Sequence, residues 1–328
     1  MTLEPELVER FRSDLSALWL DANEPNVKFG IALSAGPDSL ALLLLAHAAL
    51  PGKVEAATVD HGLRTESAAE AEYAADICAT LRVPHEILRV EVAEGNLQTQ
   101  ARLARYAVLA KWSERRAIDT LCTAHHRDDQ VETLFMRLNR GSGLSGLAGV
   151  RAAGLVPGSE IILLRPLLGW DRATLERVVE QSGFNAVQDP SNKDLAYDRV
   201  RIREALAAAH WIDRKSVARS AKVLAEMEDS ILGLAAEDYE FAGSRDGEIK
   251  SYRPFERSQI YRPSIWAEII VMIFRDFDRS ISRADAARMA ENLIDEVPLN
   301  MGGIHASFRY EDDEIVWDFT PENPRRTG

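Results

Sequence analysis

Residues 29–50 restrict the fold more than any other stretch of the chain. An apolar run, Phe29–Leu33, gives way to the small-residue loop Ser34-Ala35-Gly36-Pro37-Asp38-Ser39, and a mainly apolar stretch, Leu40–Leu50, follows. The pattern predicts a strand, a phosphate-sized loop and a helix start. The first N–H groups of a helix lack partners within it and lie at the positive end of its dipole, so an anion fits there. Gly36 lets the backbone approach an anion closely, and the Ser34 and Ser39 hydroxyls add donors. Asp38 would repel phosphate unless a cation lay between them, which points to Mg²⁺ shared by Asp38 and phosphate oxygens.

The spacing excludes two familiar phosphate loops. There is no Gly-x-x-x-x-Gly-Lys-Ser/Thr, and no Gly-x-Gly-x-x-Gly of the dinucleotide folds.

The first two hundred residues alternate strand and helix patterns. Val27–Leu33, Val54–Asp60, His85–Val90 and Asp119–Ala124 read as strands, and Asp38–Leu50, Ser67–Leu81, Leu97–Arg116 and Asp128–Arg140 as helices. The strand runs are mostly apolar rather than alternating, as in a parallel sheet covered on both faces. Repeated β-then-α order predicts an α/β, doubly wound parallel sheet, with ligands beyond the carboxyl ends of its strands. Arg151–Ser159 reads as a loop, Ile161–Leu164 as a short apolar segment, and Asp171 caps a helix that runs to Ser182 and stops at Gly183. After about residue 215 the pattern turns helical: Ser216–Tyr239, Ile265–Phe277 and Ser282–Ile294. Strand-like Gly303–Tyr310 and Ile315–Phe319 then flank an acidic turn. The expected organisation is a catalytic domain over 1–215, a mainly helical domain over 216–320 and a frayed tail over 321–328.

A length of 328 residues suits two domains. Cys78 and Cys122 form no Cys-x-x-Cys pair and read as buried thiols of a reducing compartment. The acidic N-terminus shows no basic-then-apolar signal, and Leu40–Leu50 is too short to span a bilayer. A cytoplasmic protein is the expectation. The net charge of −13 argues against nucleic acid. Residues 199–222, however, set seven basic groups against Glu204 and Asp213, a local +5. From charge alone, a phosphate-binding patch and a solvated helix face stand about level.

Three further segments carry candidate chemistry. Val59-Asp60-His61-Gly62-Leu63-Arg64 follows the second strand, where a strand end can read an adenine or ribose; an ordinary loop is the plainer reading. Arg102 and Arg105 lie three apart on one helix face and offer two-pronged donors to phosphate, or simply surface ion pairs. In Thr123-Ala-His-His-Arg-Asp-Asp-Gln-Val-Glu-Thr133, Asp129 and Glu132 project together and suit Mg²⁺ or an alkylammonium. Acidic residues also favour helix starts for dipole reasons alone. The zinc-helix spacing His-x-x-x-His is missing.

Ser34–Ser39 resembles the Ser-Gly-Gly-x-Asp-Ser pyrophosphate loop of the N-type ATP pyrophosphatases, which split ATP to AMP and pyrophosphate through an adenylated intermediate. The chain departs at Ala35, where that family has glycine: a position needing φ > 0 would strain alanine, whereas one needing only closeness would tolerate a methyl. Together with Val59–Arg64, Ala101–Tyr106, Thr123–Gly143, Arg165-Pro166-Leu167 and Asp189-Pro190-Ser191-Asn192, the loop resembles the tRNA(Ile)-lysidine synthase family over roughly residues 27–205. Beyond 215 the likeness is general, and the chain is too short for the further C-terminal domain of the longest members.

The resemblance implies ATP-dependent addition of free L-lysine to the wobble cytidine of tRNA(Ile) with a CAU anticodon, through an adenylated cytidine. Ser34, Ala35, Gly36, Pro37, Asp38 and Ser39, with Asp60 and His61, would hold ATP, and Asp38 would bind Mg²⁺. Arg105 would steady phosphate charge, Asp129 and Glu132 would handle lysine, and Arg199, Arg201 and Arg203 would lie where ATP and tRNA meet. Val200 stands where the family commonly has Asn. The rivals are a tRNA 2-thiolase, which needs better-placed cysteines, an amide-forming GMP or NAD synthetase, and an RNA-binding relative without catalysis. A homodimer is left open, and no membrane partner is expected.

Overall fold

A computed structural model describes residues 3–60, 62, 65–90, 97–187, 198–245, 247–256 and 262–322. The chain divides into two compact units, Met1–Ala225 and Glu226–Gly328. That boundary falls inside a helix, ten residues beyond the end expected for the first domain.

The first unit opens with α1 (Pro5–Leu18), whose Leu7, Phe11 and Leu15 recur on one face and are buried. Its sheet takes β1 (Phe29–Ala32), β2 (Val54–Asp60), β3 (His85–Arg89), β4 (Thr120–Cys122), β5 (Ala153–Leu155) and β6 (Ile162–Leu164) in the order β3-β2-β1-β4-β6-β5. Only β5 runs antiparallel, paired to β6. The helices are α2 (Pro37–Ala49), α3 (Thr65–Leu81), α4 (Leu97–Arg116), α5 (Arg127–Asn139), α6 (Leu144–Leu147), α7 (Arg172–Ser182) and α8 (Asp198–Ala208). The doubly wound reading therefore holds, with one correction. The expected loop 151–159 contains β5, a three-residue edge strand whose residues are all exposed.

The fold follows from burial. In α2, Leu40 and Leu42–Leu45 are fully buried, each contributing roughly 1.5–3 kcal/mol. A helix apolar all round must be enclosed, and that enclosure fixes the loop before it. Gly30 of β1 has no Cβ to obstruct Trp112 of α4. A Cβ there would lie 2.8 Å from the indole ring, and Trp112 is buried against the sheet. Sheet order reverses direction of growth between β1 and β4, which pair in parallel. The crevice beyond the carboxyl ends of such a pair is where open α/β sheets bind ligands.

The second unit holds most of α9 (Arg214–Ala242), β7 (Gly243–Ser244), β8 (Lys250–Tyr252), α10 (Pro263–Arg275), α11 (Arg283–Ile294), β9 (Leu299–Met301), β10 (Ile304–Glu311) and β11 (Glu314–Pro321). Its strands form an antiparallel sheet ordered β7-β8-β11-β10-β9. "Mainly helical" thus understates this unit. Trp266 and Trp317 meet edge to face at 5.6 Å in its core. The acidic turn is confirmed: Asp312 (φ 50°) and Asp313 (φ 64°) take the left-handed conformations of a two-residue hairpin loop. No helix among the described residues is long and apolar enough to cross a membrane.

Candidate active site

The loop after β1 and the segment after β4 face the same crevice. Gly36 caps α2 with φ −68° and offers no side-chain partner to the helix N–H groups, and Pro37 opens the helix. These donors are therefore free for an anion. Ser39 Oγ accepts the Ser34 N–H at 3.1 Å, lies 3.0 Å from Ser34 Oγ and donates to the Gly36 carbonyl at 3.2 Å. The loop is thus closed by its own serines, and Val187 N–H anchors it by donating to the Ala35 carbonyl at 2.9 Å. The left-handed residue is Ala35 (φ 57°), fully buried, not Gly36. The departure from the family pattern falls on the position that needs positive φ, a strain of about 1–2 kcal/mol for an L-residue.

Asp38 Oδ1 is buried without a hydrogen-bond partner. An orphaned carboxylate oxygen beside open helix N–H groups fits a divalent cation that also takes phosphate oxygens. Its other oxygen, Oδ2, lies 3.5 Å from His126 Nε2. His126 caps α5 and accepts the Asp128 N–H on Nδ1 at 3.2 Å, so the ring proton belongs on Nε2. Asp129 accepts the His126 N–H on Oδ2 at 2.9 Å and sits 3.7 Å from His126 Nε2. Burial alone would lower the His126 pKa, but the hydrogen bond to Asp38 and the charges of Asp129, Asp38 and Asp128 outweigh it and raise it. His126 was absent from the expected site residues. Its position at a helix cap was readable; its reach to Asp38 depends on β1 lying beside β4.

Asp129 and Glu132 do come together, but with guanidiniums. Arg199 donates to Glu132 Oε2 through Nε at 2.8 Å and to Asp129 through Nη2; Arg203 donates to Glu132 Oε1 at 2.6 Å. Burial pushes the Glu132 pKa up, yet the Arg203 and Arg199 hydrogen bonds more than compensate and hold it low. Arg201 pairs with Asp198, and Arg214 reaches Asp128 at 2.6 Å. The local +5 of residues 199–222 is therefore largely neutralised within the fold. Val200 is buried.

Arg105 and Arg102 lie beside the buried Tyr106, their guanidinium carbons 5.3 and 5.0 Å from its ring centre. Among the described residues none of Arg102, Arg105 and Arg165 pairs with a carboxylate. Burial, then Arg165, Arg102, Arg199 and Arg105, pull the His125 pKa down to about 3, so His125 is neutral. This side of the crevice is rich in cations without anions. Asp60 ends β2 and is turned to its own chain, accepting from the Gly62 N–H at 2.9 Å and the Ser67 hydroxyl at 2.7 Å. His61, Leu63, Arg64 and the 189–192 motif lie outside the described residues. No zinc-like cluster occurs among the described residues.

Fold and loop together define a PP-loop protein, and the family model described as "PP-loop domain" matches residues 7–210. Curated relatives narrow this. The chain is 50% identical to a tRNA(Ile)-lysidine synthase of Novosphingobium aromaticivorans, over 68% of this chain and 67% of that one. It is 44% identical to that of Zymomonas mobilis, over 70% of each. The chain belongs to the tRNA(Ile)-lysidine synthase family. Among solved structures, the U34-tRNA thiolase NcsA from Methanococcus maripaludis superposes with a TM-score of 0.56 at 17% identity, over 67% of this chain and 79% of that one. That likeness concerns the fold alone.

Proposed function

We propose that this chain is a ligase that joins free L-lysine to the wobble cytidine of tRNA(Ile) bearing a CAU anticodon, consuming ATP and releasing pyrophosphate and AMP. Family membership carries the reaction; the joint placement of the β1 loop, Asp38, His126, Asp129 and Glu132 at one crevice supports the residue roles. Ser34–Ser39 would receive the triphosphate on main-chain N–H groups, and Arg105 would steady its charge. Mg²⁺, held by Asp38, would offset phosphate charge at the loop. Transfer of the adenylyl group to the cytosine carbonyl oxygen converts a poor leaving group into a good one. The lysine ε-amine then bonds to that ring carbon, the carbon–oxygen bond to AMP breaks, and the amine sheds a proton.

Asp129 is the better candidate to accept that proton. Glu132 is engaged by two arginines, whereas Asp129 meets one guanidinium and the His126 N–H and lies 3.7 Å from His126 Nε2, a second proton carrier. Lysine is itself a zwitterion. The interleaved Asp129–Arg199–Glu132–Arg203 set offers carboxylates to its ammonium groups and guanidiniums to its carboxylate. The first unit is the catalytic domain in this reading, and the second contributes tRNA recognition. The cytoplasm, where tRNA, ATP and free lysine meet, is the proposed location.

Mass analysis of tRNA nucleosides after incubation with ATP, Mg²⁺ and isotopically labelled lysine tests the reading. Labelled lysidine in tRNA(Ile) is expected. AMP formation that ignores lysine would defeat it in favour of another adenylating enzyme.

A further inference from the structure

The turn between α8 and α9 holds an aromatic side chain that the fold leaves in water. Trp211 is 85% exposed, whereas Trp112, Trp170, Trp266 and Trp317 are fully buried. An indole is highly buried on average, so one left bare on an ordered turn stands apart from the chain's other tryptophans. The turn is well held. His210 N–H donates to the Ala208 carbonyl and Ile212 N–H to the Ala209 carbonyl, both at 3.1 Å. Asp213 accepts the Lys215 N–H at 3.1 Å and the Ser216 N–H at 3.3 Å. Arg214 then ties the start of α9 to Asp128, the neighbour of Asp129. The indole is thus carried on a preset backbone next to the candidate active site, which lowers the entropy lost on binding.

The charge around it selects the occupant. Arg199, Arg201, Arg203 and Arg214 are held in ion pairs. Lys215 and Arg219 are exposed and form no ion pair among the described residues. They lie four apart on α9 and share a face. His210 and Asp213, also exposed, interrupt any apolar patch that a protein groove would need. An exposed aromatic followed four and eight residues later by exposed cations suits single-stranded nucleic acid, with bases stacked on the ring and phosphates on the charges.

We infer that Trp211 is a stacking platform for an unpaired nucleotide of the tRNA, with Lys215 and Arg219 taking backbone phosphates beside it. The inference rests on the proposed function, since that reading brings an RNA loop to this crevice.

The test compares Trp211→Ala, Trp211→Phe and Lys215→Ala/Arg219→Ala proteins with the unaltered chain, by binding of tRNA(Ile) across a salt series and by labelled lysidine formation. Trp211→Ala should weaken tRNA binding about 5- to 150-fold, the range equivalent to one lost base–aromatic stack. Its salt slope should match that of the unaltered chain, and Trp211→Phe should recover most of the loss. The double cation variant should instead flatten the slope, by about 0.7 for each single-strand phosphate contact removed. Unchanged tRNA affinity in Trp211→Ala overturns the platform, whether or not lysidine forms. A change confined to self-association, read by sedimentation, also overturns it, by assigning the indole to a second copy of the chain. Absence of lysidine with the unaltered chain counts against the proposed reaction, while the affinity comparison still decides the platform.

Discussion

Arg199 Nε meets Glu132 Oε2 at 2.8 Å, so an arginine on α8 stands where the substrate ammonium is proposed to bind on α5. Glu132 is almost fully enclosed and bonded by two guanidiniums. Without ligand, the acidic pair is therefore held in place by the fold itself. In the proposed reaction, lysine binding would be an exchange of partners rather than the filling of an empty hole.

This pairing has a pH signature. The folded pKa of Glu132 lies below its ordinary 4.5, so its stabilising contribution is complete above about pH 4.5 and fades as pH falls through the folded value. In urea unfolding, Glu132→Gln should be less stable than the unaltered chain at pH 7, with the gap closing below pH 4.5. A gap that stays constant down to pH 3 would show that Glu132 is not held by charge. Removing Arg199 and Arg203 together should cost about 3 kcal/mol, the low end for orphaning a buried charge, because both arginines are partly exposed.

Asp129→Asn should separate the two chemical steps. Pyrophosphate release from ATP and tRNA should persist, while lysine-dependent AMP release falls on the order of 10²-fold, typical of a lost general base. Asp38→Asn should suppress both and abolish the dependence of ATP binding on Mg²⁺. Equal loss of both steps in Asp129→Asn would remove that residue from the lysine half-reaction.

At Ala35 the opposing effects nearly cancel. Glycine would relieve about 1–2 kcal/mol of left-handed strain, but loses a buried methyl worth about 0.8 kcal/mol and gains unfolded-chain entropy of about 0.5–1 kcal/mol. Ala35→Gly should shift stability by no more than about 1 kcal/mol by those same terms, with ATP affinity preserved. Ala35→Val, β-branched at φ 57°, should lose ATP binding through loop distortion. Equilibrium dialysis with labelled ATP distinguishes the two.

Neither thiol is placed for sulfur transfer. Cys78 and Cys122 are buried, and burial pushes both pKa values up to about 12. The folded protein should resist thiol reagents, and a Cys78→Ala/Cys122→Ala chain should still make lysidine at a cost of about 1 kcal/mol of stability per site. Loss of RNA modification in a variant that remains folded would revive the thiolase alternative.

Local signals made much of the fold legible. The apolar runs of β1 and α2 stand out, and α7 announces both ends: Asp171 accepts the Thr174 N–H at 2.9 Å and Gly183 takes φ 77°. β5 was not legible because it is only three residues long, holds Gly154 and lies between Arg151 and the turn-forming Pro157-Gly158. β7, β8 and β9 are two or three residues long and exist through their neighbours in the sheet. The same division runs through the candidate site. The loop and the acidic pair are contiguous motifs, but the Asp38–His126 approach needs two strands far apart in sequence to lie side by side. Likewise, counting charge over residues 199–222 could not reveal that α5 neutralises most of it.

Gly30 has a consequence that reaches the opposite wall of the crevice. Trp112 rests where a side chain at position 30 would have stood, and Trp112 rides on the same helix as Arg102 and Arg105. The absence of one methyl in β1 therefore sets how low that helix can sit, and with it the height of the two guanidiniums it carries. An alanine at position 30 would push that helix outward from beneath, and so would disturb the phosphate contact proposed for Arg105 through a residue on a different element.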